Sequence, residues 1–172
     1  MFAKTLAIFA LALLFSCVDG APTIDTALGS KHNLYLVTCQ RKHAIDCTQL
    51  ILCSLDDRPA TKHTAVAYYP NGPIIDTNSA PSEVAIVSDP TVPWEGTQHT
   101  AILGKASSFT SNITAGADAL KKGEVAGNAK MDSEEFVCFS DGQSRFTIRH
   151  RIGRGREEVL CIADYWCPSI QV

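Results

Sequence analysis

No C-x-x-C pair occurs among the cysteines of this chain, which removes the usual spacings of zinc and dithiol redox sites. A G-x-S-x-G elbow, an H-E-x-x-H helix and a glycine-rich phosphate loop are also absent. No short motif of a serine hydrolase, zinc protease or nucleotide-binding enzyme is therefore present. Charged residues make up 19%, and 15 Lys and Arg against 18 Asp and Glu leave a net charge of −3. That balance argues against nucleic acid as the main partner. The one long apolar run stands at the N-terminus and falls short of the span of about 20 residues that a transmembrane helix needs. No internal repeat and no interdomain linker interrupts the rest.

The run itself is informative. Lys4 precedes Leu6–Phe15, which gives way to Ser16-Cys17-Val18-Asp19-Gly20. A cationic start, a short apolar stretch and small residues before a cut form the signature of a secretory signal peptide. Val18 and Gly20 suit the positions three and one before cleavage, which places the cut before Ala21. Residues 1–20 are read as the leader, and residues 21–172 (172 − 20 = 152 residues) as one domain of ordinary size. With 45% hydrophobic residues the chain has material for a core, and disorder is not indicated. Cys17 leaves with the leader. Its alternative role, as a bacterial lipid-attachment cysteine, fits Phe15 badly.

Cys39, Cys47, Cys53, Cys138, Cys161 and Cys167 remain, an even number bound for an oxidising compartment. Three disulfides are the default reading. Ala44–Leu55 alternates as a strand, and on a continuous strand Cys47 and Cys53 would stand about 20 Å apart. Disulfide Cα atoms lie within about 7 Å, so each of these two is expected to reach another element. Three early and three late cysteines point to bridges between the two ends of the chain.

Period-two patterns predict strands at 32–39, 44–55, 64–69, 84–87, 97–103, 107–113, 134–140, 145–152 and 158–165. The last three read as a meander turning at Asp141-Gly142 and Gly153-Arg154-Gly155. Pro70-Asn71-Gly72-Pro73 and the proline-rich stretch Asp89–Gly96 are loops. Thr114–Lys122 reads as a short helix capped by Thr114 and stopped by Gly123. The fold class is therefore all-β, a β-sandwich or small β-barrel with at most one short helix and disulfide stabilisation. An α+β chain is the alternative.

Among surface features, Arg145, Arg149, Arg151, Arg154 and Arg156 crowd one hairpin of an otherwise acidic protein. They form a candidate ribbon for an anionic glycan, a lipid headgroup or an acidic protein patch. The commoner reading of such a run is a solvated strand, its charge offset in part by Glu157 and Glu158. His150, on the opposite parity, reads as a core histidine. Trp94 is a candidate aromatic contact, whereas Trp166 reads as packing over a disulfide. Asn112-Ile113-Thr114 is an N-glycosylation sequon.

Catalytic readings rest on less. The Asp25 and Asp76 stretches lack the glycine of aspartic proteases. The calcium-loop pattern at Asp76 fails at Pro81 and Val87. Glu95, His99 and Arg149 would be one hydrolytic set, supported only by their presence. No metal site and no cofactor is assigned.

The Ala21-Pro22 start, the cysteine complement and the strand-rich body resemble the small secreted cysteine-rich proteins of filamentous fungi. Phe136-Val137-Cys138 through Cys161-Ile162-Ala163-Asp164-Tyr165 is similar in style to the Alternaria-allergen-type β-barrels. The resemblance implies a secreted β-protein of effector or recognition type and transfers no site residues. The expected function is thus a secreted, non-enzymatic binding protein that meets its partner outside the cell. A small extracellular hydrolase of glycosidase or ribonuclease type is the alternative.

Overall fold

A computed structural model describes residues 30–42, 61–152 and 155–171. The leader, Ala44–Leu55 with Cys47 and Cys53, and Arg154 lie outside the described residues, as do the side chains of Arg149, His150, Arg151 and Arg156.

Nine strands account for most of what is described: β1 (Asn33–Lys42), β2 (Lys62–Tyr69), β3 (Glu83–Ser88), β4 (Gln98–Leu103), β5 (Ser107–Ile113), β6 (Val125–Met131), β7 (Glu134–Ser140), β8 (Arg145–Ile152) and β9 (Gly155–Pro168). All pairings between them are antiparallel. The order is β3-β2-β1-β9-β7-β6-β5-β4, with β8 branching from β9. The two ends, β3 and β4, lie against each other and nearly close the sheet into a barrel. The all-β expectation holds.

Three local expectations give way. Thr114–Lys122 forms a single 3-10 turn, Ala117–Ala119, rather than a helix, because Gly116 takes a left-handed φ of 82° and Leu120 is already extended. Thr114 instead donates its N–H to the Ala126 carbonyl, which ties the segment to β6. The meander holds only in its second half: β8 pairs with β9 as expected, but β7 pairs with β9 and not with β8. Finally, β6 is an extra strand. Its Val-Ala-Gly-Asn-Ala-Lys-Met carries little of the β-branched alternation by which strands are read.

β1 is buried on both faces. Leu34 and Leu36 point into the barrel with Val66, Leu103, Phe109 and Phe136. Tyr35, Val37 and Cys39 point outward into a second core under β8, with Ala65, Tyr69, Phe146 and Cys161. Within it the rings of Tyr35 and Tyr69, and of Tyr69 and Phe146, meet edge to face at 5.4 and 5.8 Å. The long strand β9 serves both cores through a bulge. Val37 faces Ala163 while Leu36 faces Tyr165, so Asp164 is the extra residue. Before it, Val159, Cys161 and Ala163 face the outer core; after it, Tyr165 and Cys167 face the barrel interior.

Two disulfides reinforce the two cores. Cys39–Cys161 lies in the outer core between directly paired residues of β1 and β9, and Cys138–Cys167 lies in the inner one, each with Cα atoms 4.0 Å apart. The first joins the two ends of the chain as expected, while the second joins two late cysteines. These four cysteines pair with one another, so none is available to Cys47 or Cys53. The expectation that each of those two reaches another element lies outside the described residues.

Candidate functional site

β9 is longer than either neighbour on its second edge. Its first half pairs with β8 through Ile162 and its last residues pair with β7 from Tyr165. The sheet therefore forks at Ala163–Asp164. The β7–β8 loop closes the fork with backbone bonds. Asp141 N–H donates to the Asp164 carbonyl at 3.0 Å, Gly142 N–H to the Ala163 carbonyl at 2.8 Å, and Ala163 N–H to the Ser144 carbonyl at 2.8 Å.

A cleft of about 470 Å3 opens there, bounded by Thr38, the Val92–Glu95 loop, the 3-10 turn, the β7–β8 loop and the bulge. That size falls within the usual range of ligand sites, about 300–1,000 Å3. Among the described residues four carboxylates line it, from Glu95, Asp118, Asp141 and Asp164, against the one ammonium of Lys122.

Each acid is placed by local structure. Asp141, 6% exposed, follows β7 and accepts the N–H groups of Gln143 at 3.2 Å and Ser144 at 3.1 Å, a turn that aspartate side chains favour. Lys122 stands 3.4 Å from the same carboxylate and also donates to Gln143. Glu95 sits on the proline-rich loop. The Thr64 hydroxyl pins that loop, donating to the Val92 carbonyl at 2.9 Å and accepting the Val92 N–H at 3.0 Å. Gly96, at φ 72°, turns the chain so that its N–H reaches the Ile113 carbonyl. Tyr165 donates its hydroxyl to Glu95 in a very short contact. Burial and the Glu95 carboxylate hold the Tyr165 phenol far above its ordinary pKa, so it stays a donor.

Asp164 is the most perturbed acid. Burial pushes its carboxyl up to about 6. The Thr38 hydroxyl, donating at 2.8 Å, and the Trp94 indole N–H oppose that rise, while the negative charges of Glu95 and Asp141 add to it. Trp94 favours the charged carboxylate by proximity but closes no regular hydrogen bond, and its Nε1 is buried without a partner.

The expected site residues scatter. Trp94 is 2% exposed and belongs to the inner core, its ring edge-on to His99 at 5.3 Å. It is a wall of the cleft rather than an exposed stacking platform. Of the set Glu95, His99 and Arg149, Glu95 lines the cleft and His99 binds the Pro93 carbonyl at 2.9 Å, while the Arg149 side chain lies outside the described residues. Trp166 donates to the Asn33 side chain at 2.8 Å and packs with the outer core that holds Cys39–Cys161. Arg145 is exposed on β8. Asn112 and Thr114 of the sequon are exposed at the end of β5, open to a modifying enzyme.

Sequence reasoning missed Asp164, Asp141 and Asp118. One signal was present: Asp164 is a lone charge in the otherwise apolar alternate series Leu160, Ile162 and Trp166. Protein-family models, curated proteins and solved structures offer no match to this chain, so the chemistry of the cleft is read from its own residues.

Proposed function

We propose that the chain is a secreted binding protein whose ligand seat is the cleft at the fork of the sheet. The observation that carries this reading is a rigid opening with unspent chemistry. The bulge, the Asp141 turn, the pinned proline loop and two disulfides fix its walls. Glu95 and Asp164 each accept only one side-chain hydroxyl and meet no ammonium or guanidinium among the described residues. The leader, the cysteine usage and the accessible sequon at Asn112 support export and glycosylation. No helix among the described residues is long and apolar enough to cross a membrane. The anionic partner that the arginine hairpin would suit does not match this acidic lining.

A second reading, an extracellular hydrolase, draws on one observation. A carboxyl held near 6 beside a second carboxylate is the pairing a general acid requires.

A fragment screen on the isotope-labelled mature protein, read by amide shifts, tests both. Perturbations clustered on Thr38, Glu95, Asp141 and Asp164, and weakened in Glu95→Gln, support the binding reading. Perturbations confined to the Arg145 hairpin, or none, overturn it. Turnover of a glycan or RNA that Asp164→Asn abolishes would instead establish the hydrolase.

A further inference from the structure

Granting that the cleft is the ligand seat, we infer that its ligand is a small organic ammonium ion with a neighbouring oxygen acceptor, the chemistry shared by amino sugars and amino alcohols. Three observations converge on that class.

The first is charge. Four carboxylates line the opening, and the single lining cation among the described residues, Lys122, is already committed to Asp141 and Gln143. A positive group entering between Glu95 and Asp164 removes the repulsion that now bears on Asp164.

The second is spacing. Among the described residues no three His, Cys, Asp or Glu side chains gather as a metal site. The acids occupy separate walls, so an extended organic ion with several donors fits them better than a point charge. A protonated amine supplies three such donors.

The third observation concerns a neutral donor rather than an acid. Trp94 is 2% exposed, and its indole N–H, on the cleft wall close to Asp164, completes no hydrogen bond of regular geometry. A buried unpaired donor costs free energy until an acceptor arrives. A hydroxyl or ether oxygen next to the ammonium would meet that N–H while the ammonium meets Asp164.

The pH dependence follows from the groups facing Asp164: Glu95 and Asp141 as anions, Thr38 and Trp94 as neutral donors, Tyr165 as a protonated phenol, with Asp118 and Lys122 at the rim. Asp164 is ionised above about pH 6, and an aliphatic amine stays protonated there. Affinity should therefore rise from pH 5 to pH 7.

The experiment is calorimetric titration of the intact secreted protein with glucosamine, ethanolamine, N-acetylglucosamine and glucose, with amide shifts locating each ligand. Glucosamine or ethanolamine should bind at the cleft, and whichever binds more tightly identifies the source. N-acetylglucosamine and glucose, lacking the charge, should bind at least about tenfold more weakly, as should glucosamine to Asp164→Asn. Trp94→Phe keeps a ring in the wall and removes only the donor; it should weaken glucosamine severalfold while leaving the circular dichroism spectrum unchanged. Equal binding of charged and neutral sugars at the cleft would overturn the ligand class and leave the cleft as the seat. Absence of any cleft perturbation by all four would overturn both.

Discussion

Thr38 donates its hydroxyl to Asp164 at 2.8 Å across 126 residues of sequence. The bond spans the bulge between β1 and β9, so the residue that breaks the ladder is also the one held in the cleft. A bulge re-aims a side chain, and here it delivers a carboxylate into a place where burial opposes its charge. Stability and acidity are therefore coupled at Asp164.

The pH dependence of stability follows with a definite sign. The Asp164 carboxyl rises from 3.8 to about 6 on folding, so between these values the folded protein holds more protons than the unfolded chain. Its ionisation then destabilises the fold as pH rises from about 4 to 6, by at most about 3 kcal/mol. Asp164→Asn, which still accepts from Thr38, should raise stability at pH 7 and lose that advantage at pH 4. Urea unfolding at the two pH values measures this.

Tyr165→Phe should cost about 1–3 kcal/mol, because the Glu95 carboxylate loses its side-chain donor inside the cleft. Glu95→Gln retains an acceptor oxygen and should cost less. Reversal of that ranking in denaturant melts would mean that the tyrosine hydroxyl serves another group.

The two disulfides should not be equivalent. Cys39–Cys161 closes 122 residues and Cys138–Cys167 only 29. Chain entropy then assigns about 5 kcal/mol to the first and about 3.5 kcal/mol to the second. Paired alanine variants should show the larger loss for Cys39 and Cys161 in guanidinium titrations.

Gly127→Ala should destabilise by at least about 1–3 kcal/mol. A Cβ there would lie 2.2 Å from the Asn112 carbonyl oxygen and 2.9 Å from the Ile113 Cα of the paired strand β5, both backbone atoms. Thermal melts of the variant check this.

Much of the fold was legible because it rests on local alternation. β4, β5, β7 and β8 lie where period-two reading puts strands, and the paired hydrophobics of β1 mark it as well. β6 was hidden by Gly127 and its alanines, whose burial comes from neighbours rather than from their own bulk. The helix expected at Thr114 overlooked the left-handed Gly116. The cleft was barely legible, because Glu95, Asp118, Asp141 and Asp164 come from four segments that only the fork brings together. Alternation shows which way a side chain faces, not that β7 and β8 compete for one edge of β9.

The most direct test is a carbon-detected titration of the Asp164 carboxyl in the mature protein, without and with saturating glucosamine. A midpoint near pH 6 that drops when the amine is bound would show a buried acid waiting for a cation. A midpoint in the ordinary carboxylate range, or one that the amine leaves in place, would contradict the account.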